Sequence, residues 1–271
     1  SKENEKTKIS SHFFSRYSSA NAEKTNHADI SIGWKKIGLL TSITRSGFGD
    51  AKIGKRDMKG FEGFGTRPYY IQPFNGITGD TIVKNSNDRI QRFSGYTQTD
   101  FAQKLLYKPN ANTSHGLNIQ YSTSSDVPRY DRLQDTMAGL LRYASWYYGP
   151  QKRLMASYKW DALNLLGFDG VSVLMYHQNV EESRMNRKFG HAVLQSRIEQ
   201  VMVNGFNSDA MKRWGSNTLR AGVDGWFQTV RSSAFAQDIF NDGPRMSLDS
   251  RYPGGRNEMY SLAAFATHIN Q

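Results

Sequence analysis

Leu117-Asn118-Ile119-Gln120-Tyr121-Ser122 alternates apolar and polar side chains without a break. An extended chain points successive side chains to opposite faces, so Leu117, Ile119 and Tyr121 share one face and Asn118, Gln120 and Ser122 the other. The same pattern returns on both sides of this stretch. Ala28, Ile30, Ile32 and Trp34 oppose Asp29, Ser31 and Gly33. Leu154, Ala156, Tyr158 and Trp160 oppose Arg153, Met155, Ser157 and Lys159. Leu219, Ala221, Val223, Gly225 and Phe227 oppose Arg220, Gly222, Asp224, Trp226 and Gln228. Each run therefore predicts a strand with one mainly apolar and one mainly polar face, and several carry Trp or Tyr at an end, where a membrane-interface girdle would lie.

Extending this reading along the chain predicts about ten strands, near 7–20, 26–35, 37–49, 93–108, 114–126, 146–160, 169–184, 195–207, 217–232 and 258–269. Many exceed the five or six residues usual in soluble sheets. Short connections are expected at Asn21 to Asn26, Lys35-Lys36, Pro109 to Thr113 and Lys212 to Asn217, where turn residues or charges gather. Long ones are expected at 50–92, 127–145, 185–194 and 233–257. From the second strand onward short and long alternate, as periplasmic turns and extracellular loops do in outer-membrane barrels. A soluble β-sandwich would have shorter strands and no reason for that alternation. The expectation is all-β: an antiparallel transmembrane β-barrel segment, with residues 1–271 forming one unit.

Composition agrees. Hydrophobic residues are 38% of the chain while aromatics reach 13%, with 14 Tyr, 15 Phe and 5 Trp. A disordered chain is poor in aromatics, whereas a barrel combines a polar lumen with aromatic girdles. No apolar stretch is long enough for a transmembrane helix, which leaves strands as the way to span a bilayer. The formal charge of +11 is spread singly along the sequence, often beside acids as in Arg129-Tyr130-Asp131-Arg132, so it does not form a nucleic-acid footprint. Cysteine is absent, which removes disulfides, thiolate metal sites and cysteine nucleophiles. Ser1-Lys2-Glu3-Asn4-Glu5-Lys6 lacks the apolar core of a signal peptide.

Catalytic motifs are missing: there is no H-E-x-x-H, G-x-S-x-G or P-loop, and the glycines at 47, 49, 60, 63 and 65 do not make a dinucleotide fingerprint. An enzyme is not expected. The six histidines, at 12, 27, 115, 177, 191 and 268, form no i, i+4 pair, and no metal site is assigned. Lys104, Arg153, Lys159, Arg220 and Asp224 on the polar faces fit a structural lining of a lumen. The segment from Gly63 to Asn75 differs in kind, because Phe64, Arg67, Tyr69, Tyr70 and Phe74 set aromatics and a guanidinium in one long loop. Such a set suits stacking on a flat ligand or binding a protein. His191, in another expected outer loop, is by topology the imidazole best placed to meet a ligand there.

Two stretches, Tyr121-Ser-Thr-Ser-Ser-Asp-Val-Pro-Arg-Tyr-Asp-Arg-Leu133 and Trp146-Tyr-Tyr-Gly-Pro-Gln-Lys-Arg-Leu154, resemble the barrel of TonB-dependent receptors, in particular the Bacteroidetes group of haem, haemoglobin and transferrin receptors. Gly65-Thr-Arg-Pro-Tyr-Tyr70, Gln178 to Arg184 with Ser196 to Val201, and Asp249 to Asn257 extend the resemblance in the same order. It implies about ten strands of a 22-stranded barrel that encloses a plug. Neither plug nor TonB box is visible, and the chain ends at Asn270-Gln271 without a terminal aromatic strand, so a partial barrel domain is expected.

The resemblance implies a receptor of the bacterial outer membrane, surrounded by lipid, that takes up haem, a haem protein or another iron carrier with energy delivered by the TonB complex through regions outside these residues. Haem would be cargo and not a resident cofactor. Siderophores, cobalamin and glycans are alternatives within the same fold, and a barrel enzyme or adhesin is the alternative from another class. Residues 1–271 made alone in water should not behave as a monomer, because an open run of strands exposes two unpaired edges and an apolar face. Size-exclusion chromatography without detergent tests this; a monodisperse, cooperatively melting species of 30.8 kDa would contradict it.

Overall fold

The structure is a computed structural model that describes residues 6–54, 59–72 and 79–270. Ten long strands follow one another: β1 Lys8–Ser18, β2 Glu23–Gly33, β3 Ile37–Phe48, β4 Tyr96–Asn110, β5 Thr113–Ser124, β6 Lys152–Leu165, β7 Phe168–Lys188, β8 Val193–Trp214, β9 Asn217–Asp238 and β10 Gly255–Asn270. Each pairs antiparallel with its sequence neighbours, in an up-and-down meander. Three short loop strands complete a 13-stranded sheet. Among the described residues β1 pairs only with β2 and β10 only with β9, so each leaves one edge open. No helix among the described residues is long and apolar enough to cross a membrane, which says nothing about strands.

Register carries the architecture. Residues directly opposite in an antiparallel pair put their side chains on the same face. Ile9, Ile32, Leu39, Leu105, Leu117, Tyr158, Met175, Phe206, Gly225 and Leu262 pair in turn across all ten strands, a continuous row with one glycine. That glycine is required: a Cβ at Gly225 would lie 2.7 Å from the Phe206 ring, which covers the gap. The same register puts Ile30, Ile119, Ala156, Val223 and Phe227 on this apolar face, and Asp29, Asn118, Gln120, Ser157 and Asp224 on the other.

On β6 the belt runs from Ala162 to Leu154, within the nine to eleven residues a tilted strand needs to cross a bilayer, and the β5 side chains from His115 to Tyr121 face it. Above it the same face turns polar, with Lys152 bonded to Glu181 at 3.1 Å and Gln200 to Glu181 at 2.8 Å. At the short-turn end it carries aromatics and imidazoles. The His115 Nδ1 lies 2.7 Å from the Tyr158 hydroxyl, Tyr107 stacks on His115, and Trp214 stacks on His268.

The polar face is concave. A single cavity of about 790 Å³ is lined by residues from Lys8 and Ser10 of β1 through Lys104, Asn118 and Lys159 to Leu174 of β7, seven strands in succession. Farther along the same face, polar side chains from neighbouring strands pair with one another. Asp29 lies 3.1 Å from His12 and 3.2 Å from His27, whose other ring nitrogen lies 2.8 Å from Thr44. Higher on the same strands, Arg16, Glu23, Thr25 and Ser46 form a chain of hydrogen bonds.

The ten strands coincide with the expected ones, with corrections at their ends. The strand expected at 146–160 begins at Lys152, because Gly149-Pro150 interrupts the chain and proline has no N–H for the ladder. Trp146 instead belongs to a loop strand, Tyr143–Tyr148, which pairs with Arg184–Lys188 of β7 above the point where β6 ends. The connection expected at 185–194 is a tight turn at 189–192, and Lys212, expected in a short turn, lies inside β8. The loop expected at 233–257 is 239–254, and β2 already begins at Glu23. At 21 and 22 residues, β7 and β8 reach roughly 70 Å at about 3.3 Å per residue, so half of that hairpin stands beyond the belt. There both faces are polar, and alternation no longer marks the strand.

Arg at Ile119, within the belt, should cost about 2–4 kcal/mol near a bilayer midplane, and far less at Gln120 on the concave face. Equilibrium folding of the two variants into lipid bilayers measures the difference; equal tolerance would contradict the facing.

Candidate functional site

The turns at 34–36, 111–112, 166–167 and 215–216 close one end of the sheet, and the connections 19–22, 49–95, 125–151, 189–192 and 239–254 gather at the other. The long connections are built around arginines. Arg67 is almost fully buried, and its guanidinium donates to the carbonyls of Leu133, at 3.0 Å, and Tyr130. With the Gln134 amide oxygen turned toward it, the Arg67 Nε donates there at 2.9 Å. The same guanidinium stacks 3.7 Å above the Tyr130 ring. Burial pulls the Arg67 pKa down to about 10, still far above neutrality, so it remains a cation. Burial pushes the Tyr130 phenol up to about 12, so it stays protonated and can donate.

Arg187, near the tip of β7, is the second anchor. It holds the Asp80 carboxylate with both terminal nitrogens, one at 2.8 Å, and donates to the His191 carbonyl at 2.7 Å. The Gly190 N–H completes the Asp80 shell at 2.8 Å. The side chains of this ion pair are only 5% and 2% exposed. The Phe240 ring lies 5.3 Å from the same guanidinium, so three connections meet at Arg187. A third arginine, Arg129, bonds Asp131 and the Tyr148 hydroxyl and sits over the Trp146 ring.

The candidates expected from sequence fall in three places. Phe64 and Tyr69 are exposed, at 78% and 49%, and open to a ligand or partner. Tyr70 is half-buried and meets Phe93 edge-on at 5.7 Å. Arg67 is in the same loop, but its hydrogen-bonding capacity goes to backbone carbonyls of the neighbouring connection. Phe74 lies outside the described residues. His191 sits in the four-residue turn of the β7–β8 hairpin, exposed, beside a cavity of about 170 Å³ lined by Asn186, Lys188, Val193 and Gln195. Among the described residues no hydrogen bond or ring contact joins His191 to Phe64, Tyr69 or Tyr70, although Asp80 ties their two connections together. Among the described residues no three His, Cys, Asp or Glu side chains form a set that would hold a metal ion.

Sequence reading missed Tyr130, Asp80 and Arg187. Asp80 and Arg187 are 107 residues apart, and neither lies in a patterned stretch. It also missed an electrostatic asymmetry. Toward the short turns, Lys159 pairs with Asp161, Lys212 with Asp169 and Arg220 with Asp209. Lys8, Lys35, Lys36, Lys104 and Lys108, in β1–β4 and their turns, have no acidic partner among the described residues, so this part of the sheet is net cationic.

No protein-family model and no curated protein matches the sequence. The fold does match solved structures, and it is that of an antiparallel transmembrane β-barrel segment. One of them is copper transporter OprC, which superposes with a TM-score of 0.61 over 97% of this chain at 12% identity. This chain spans 34% of that structure's length.

Breaking the second anchor should free the loops while sparing the sheet. Arg187→Ala leaves Asp80 buried without its cation and should cost about 3–5 kcal/mol locally, whereas Arg187→Met with Asp80→Leu should cost much less. Hydrogen exchange at residues 79–92 reads the difference; equal protection in both variants would show that the ion pair does not hold the loop.

Proposed function

We propose that this chain forms part of a bacterial outer-membrane receptor that imports a metal-carrying ligand, with energy delivered by a TonB-type complex through regions outside these residues. The observation that supports this best is the combination of a membrane-height apolar belt on one face and a concave, charged lining on the other, in a fold shared with a transporter. Strands alone would serve an adhesin equally well. A wide polar trough beneath loops tied together by buried arginines suits a path with a capture end.

The favoured cargo is iron as haem, a haem protein or another iron carrier, which the resemblance of the loop and strand sequences implies. Copper is the second reading, because one of the matched structures is a copper transporter. In either case Phe64, Tyr69, Tyr70 and His191 are the capture residues. The aromatics offer flat surfaces and the imidazole a ligand to a metal held by the cargo.

A deletion strain complemented with the whole gene tests the reading by uptake of radiolabelled iron as haem and of radiolabelled copper, with and without an uncoupler. Energised uptake of haem alone supports iron import, and uptake of copper alone supports the second reading. Energised uptake of neither metal would overturn metal import. His191→Ala, or Tyr69→Ala with Tyr70→Ala, should weaken cargo binding about tenfold or more if these are anchors. Asn112→Ala, in a short turn at the opposite end, should leave binding unchanged.

A further inference from the structure

We infer that Arg231, Arg245 and Arg256 form a site for the anionic phosphate headgroup of a membrane lipid, on the outward face of the β9–β10 hairpin where the apolar belt gives way to the loops. The inference goes beyond metal import and does not rest on it; it rests on the facing of the strands.

The outward face of β9 is apolar from Leu219 to Phe227, and that of β10 from Ala266 to Tyr260. Phe227 and Tyr260 lie directly opposite each other, and Tyr260 is 80% exposed, as suits an aromatic at the boundary between hydrocarbon and headgroups. Four residues further along each strand, Arg231 lies directly opposite Arg256, on the same face because side chains repeat with a period of two. The step is roughly 13 Å along the strand at about 3.3 Å per residue, and less in height because membrane strands are tilted, so both guanidiniums fall in the headgroup layer.

Like charges directly opposite on one face repel, so this pair calls for an anion. The protein supplies only part of it. Arg256 bonds Glu258 at 2.8 Å. On the other side of Arg231, Gln200 donates to Glu181 at 2.8 Å, and Glu181 is already engaged by Lys152 at 3.1 Å. Arg231 has no hydrogen bond or ion pair among the described residues, and Asp249, in the connection overhead, pairs with neither arginine. Arg245 adds a second cation without an acidic partner among the described residues. Its guanidinium lies 4.3 Å from the centre of the Phe235 ring, which shares the outward face of Arg231 four residues up β9. Stacking occupies the flat face of a guanidinium and leaves its in-plane N–H donors open. Those forks match phosphate oxygens, and a phosphate joined to acyl chains would lay the chains along the apolar face below. A free anion would use the arginines and leave that face uncovered.

Diphosphoryl lipid A is the probe, added to the whole receptor delipidated in neutral detergent, with binding followed by native mass spectrometry and the melting temperature measured in parallel. Lipid A should bind saturably and raise the melting temperature, while phosphatidylcholine, whose headgroup has no net charge, should bind about tenfold more weakly or worse. Arg231→Gln and Arg245→Gln should each weaken lipid A about fivefold, and together about twentyfold. Arg153→Gln, on the concave face of β6, should leave lipid binding unchanged. Without lipid, Arg231→Gln should melt no lower than the parent protein, because the repulsion with Arg256 is gone. No saturable lipid A binding, equal binding of phosphatidylcholine, or lipid A binding unchanged in the double variant would overturn the site. Displacement of lipid A by inorganic phosphate at equal concentration would also overturn it, since the arginines would then read a free anion. An Arg231→Gln protein that melts lower in the absence of lipid would make Arg231 a residue of the fold and overturn it as well.

Discussion

The structure depends on strand pairing that keeps one register through the apolar belt, with the shift past Tyr107 in the β4–β5 pair falling at the short-turn end. Inside a bilayer an unpaired backbone N–H or C=O has no water to turn to, so neighbouring strands must satisfy each other throughout. Because side chains alternate with a period of two, a slip of one residue anywhere would move an entire apolar set to the concave side. The row from Ile9 to Leu262 shows the constraint met across all ten strands. Where a strand offers no side chain, as at Gly225, the neighbouring Phe206 covers the ladder instead.

This arrangement leaves little that resembles a hydrophobic core. Among the described residues only Trp146, Ala162 and Ala236 are apolar and buried. The large apolar side chains stand on the outer face, where a water-soluble protein would place charges, and lipid would supply their burial. The interior of the curve is held by hydrogen-bonded sets such as Asp29 with His12 and His27, and by paired charges such as Arg220 with Asp209. A polar network of this kind has to be satisfied member by member, because each unpaired group carries a desolvation cost. Packing thus faces outward and polar satisfaction faces inward.

Beyond the belt neither rule operates, and buried arginines take over. Arg67 ties two connections through carbonyls, and Arg187 ties three through Asp80, His191 and Phe240. Guanidinium suits this task because its donors lie in one plane and can reach several acceptors at once. The loops also prolong the sheet: Tyr143–Tyr148 and Met246–Ser247 pair with the upper ends of β7 and β9. Scaffold and loop are therefore continuous, and a ligand-capturing surface there would sit on a rigid base.

The strands, their number and their facing within the belt were legible in the residues alone, because alternation is a local property that any six residues display. Leu117 to Ser122 announced β5, and its facing holds across every neighbour. Local pattern also located the aromatic loop from Phe64 to Tyr70. It failed wherever both faces of a strand meet water, as in the upper halves of β7 and β8, since without burial nothing selects an alternating set. It also had no means to see that Arg67 is committed to Tyr130 and Leu133, or that Asp80 would find Arg187. Those depend on which loops arrive side by side at one rim of the sheet, and only the closing together of distant chain segments decides that.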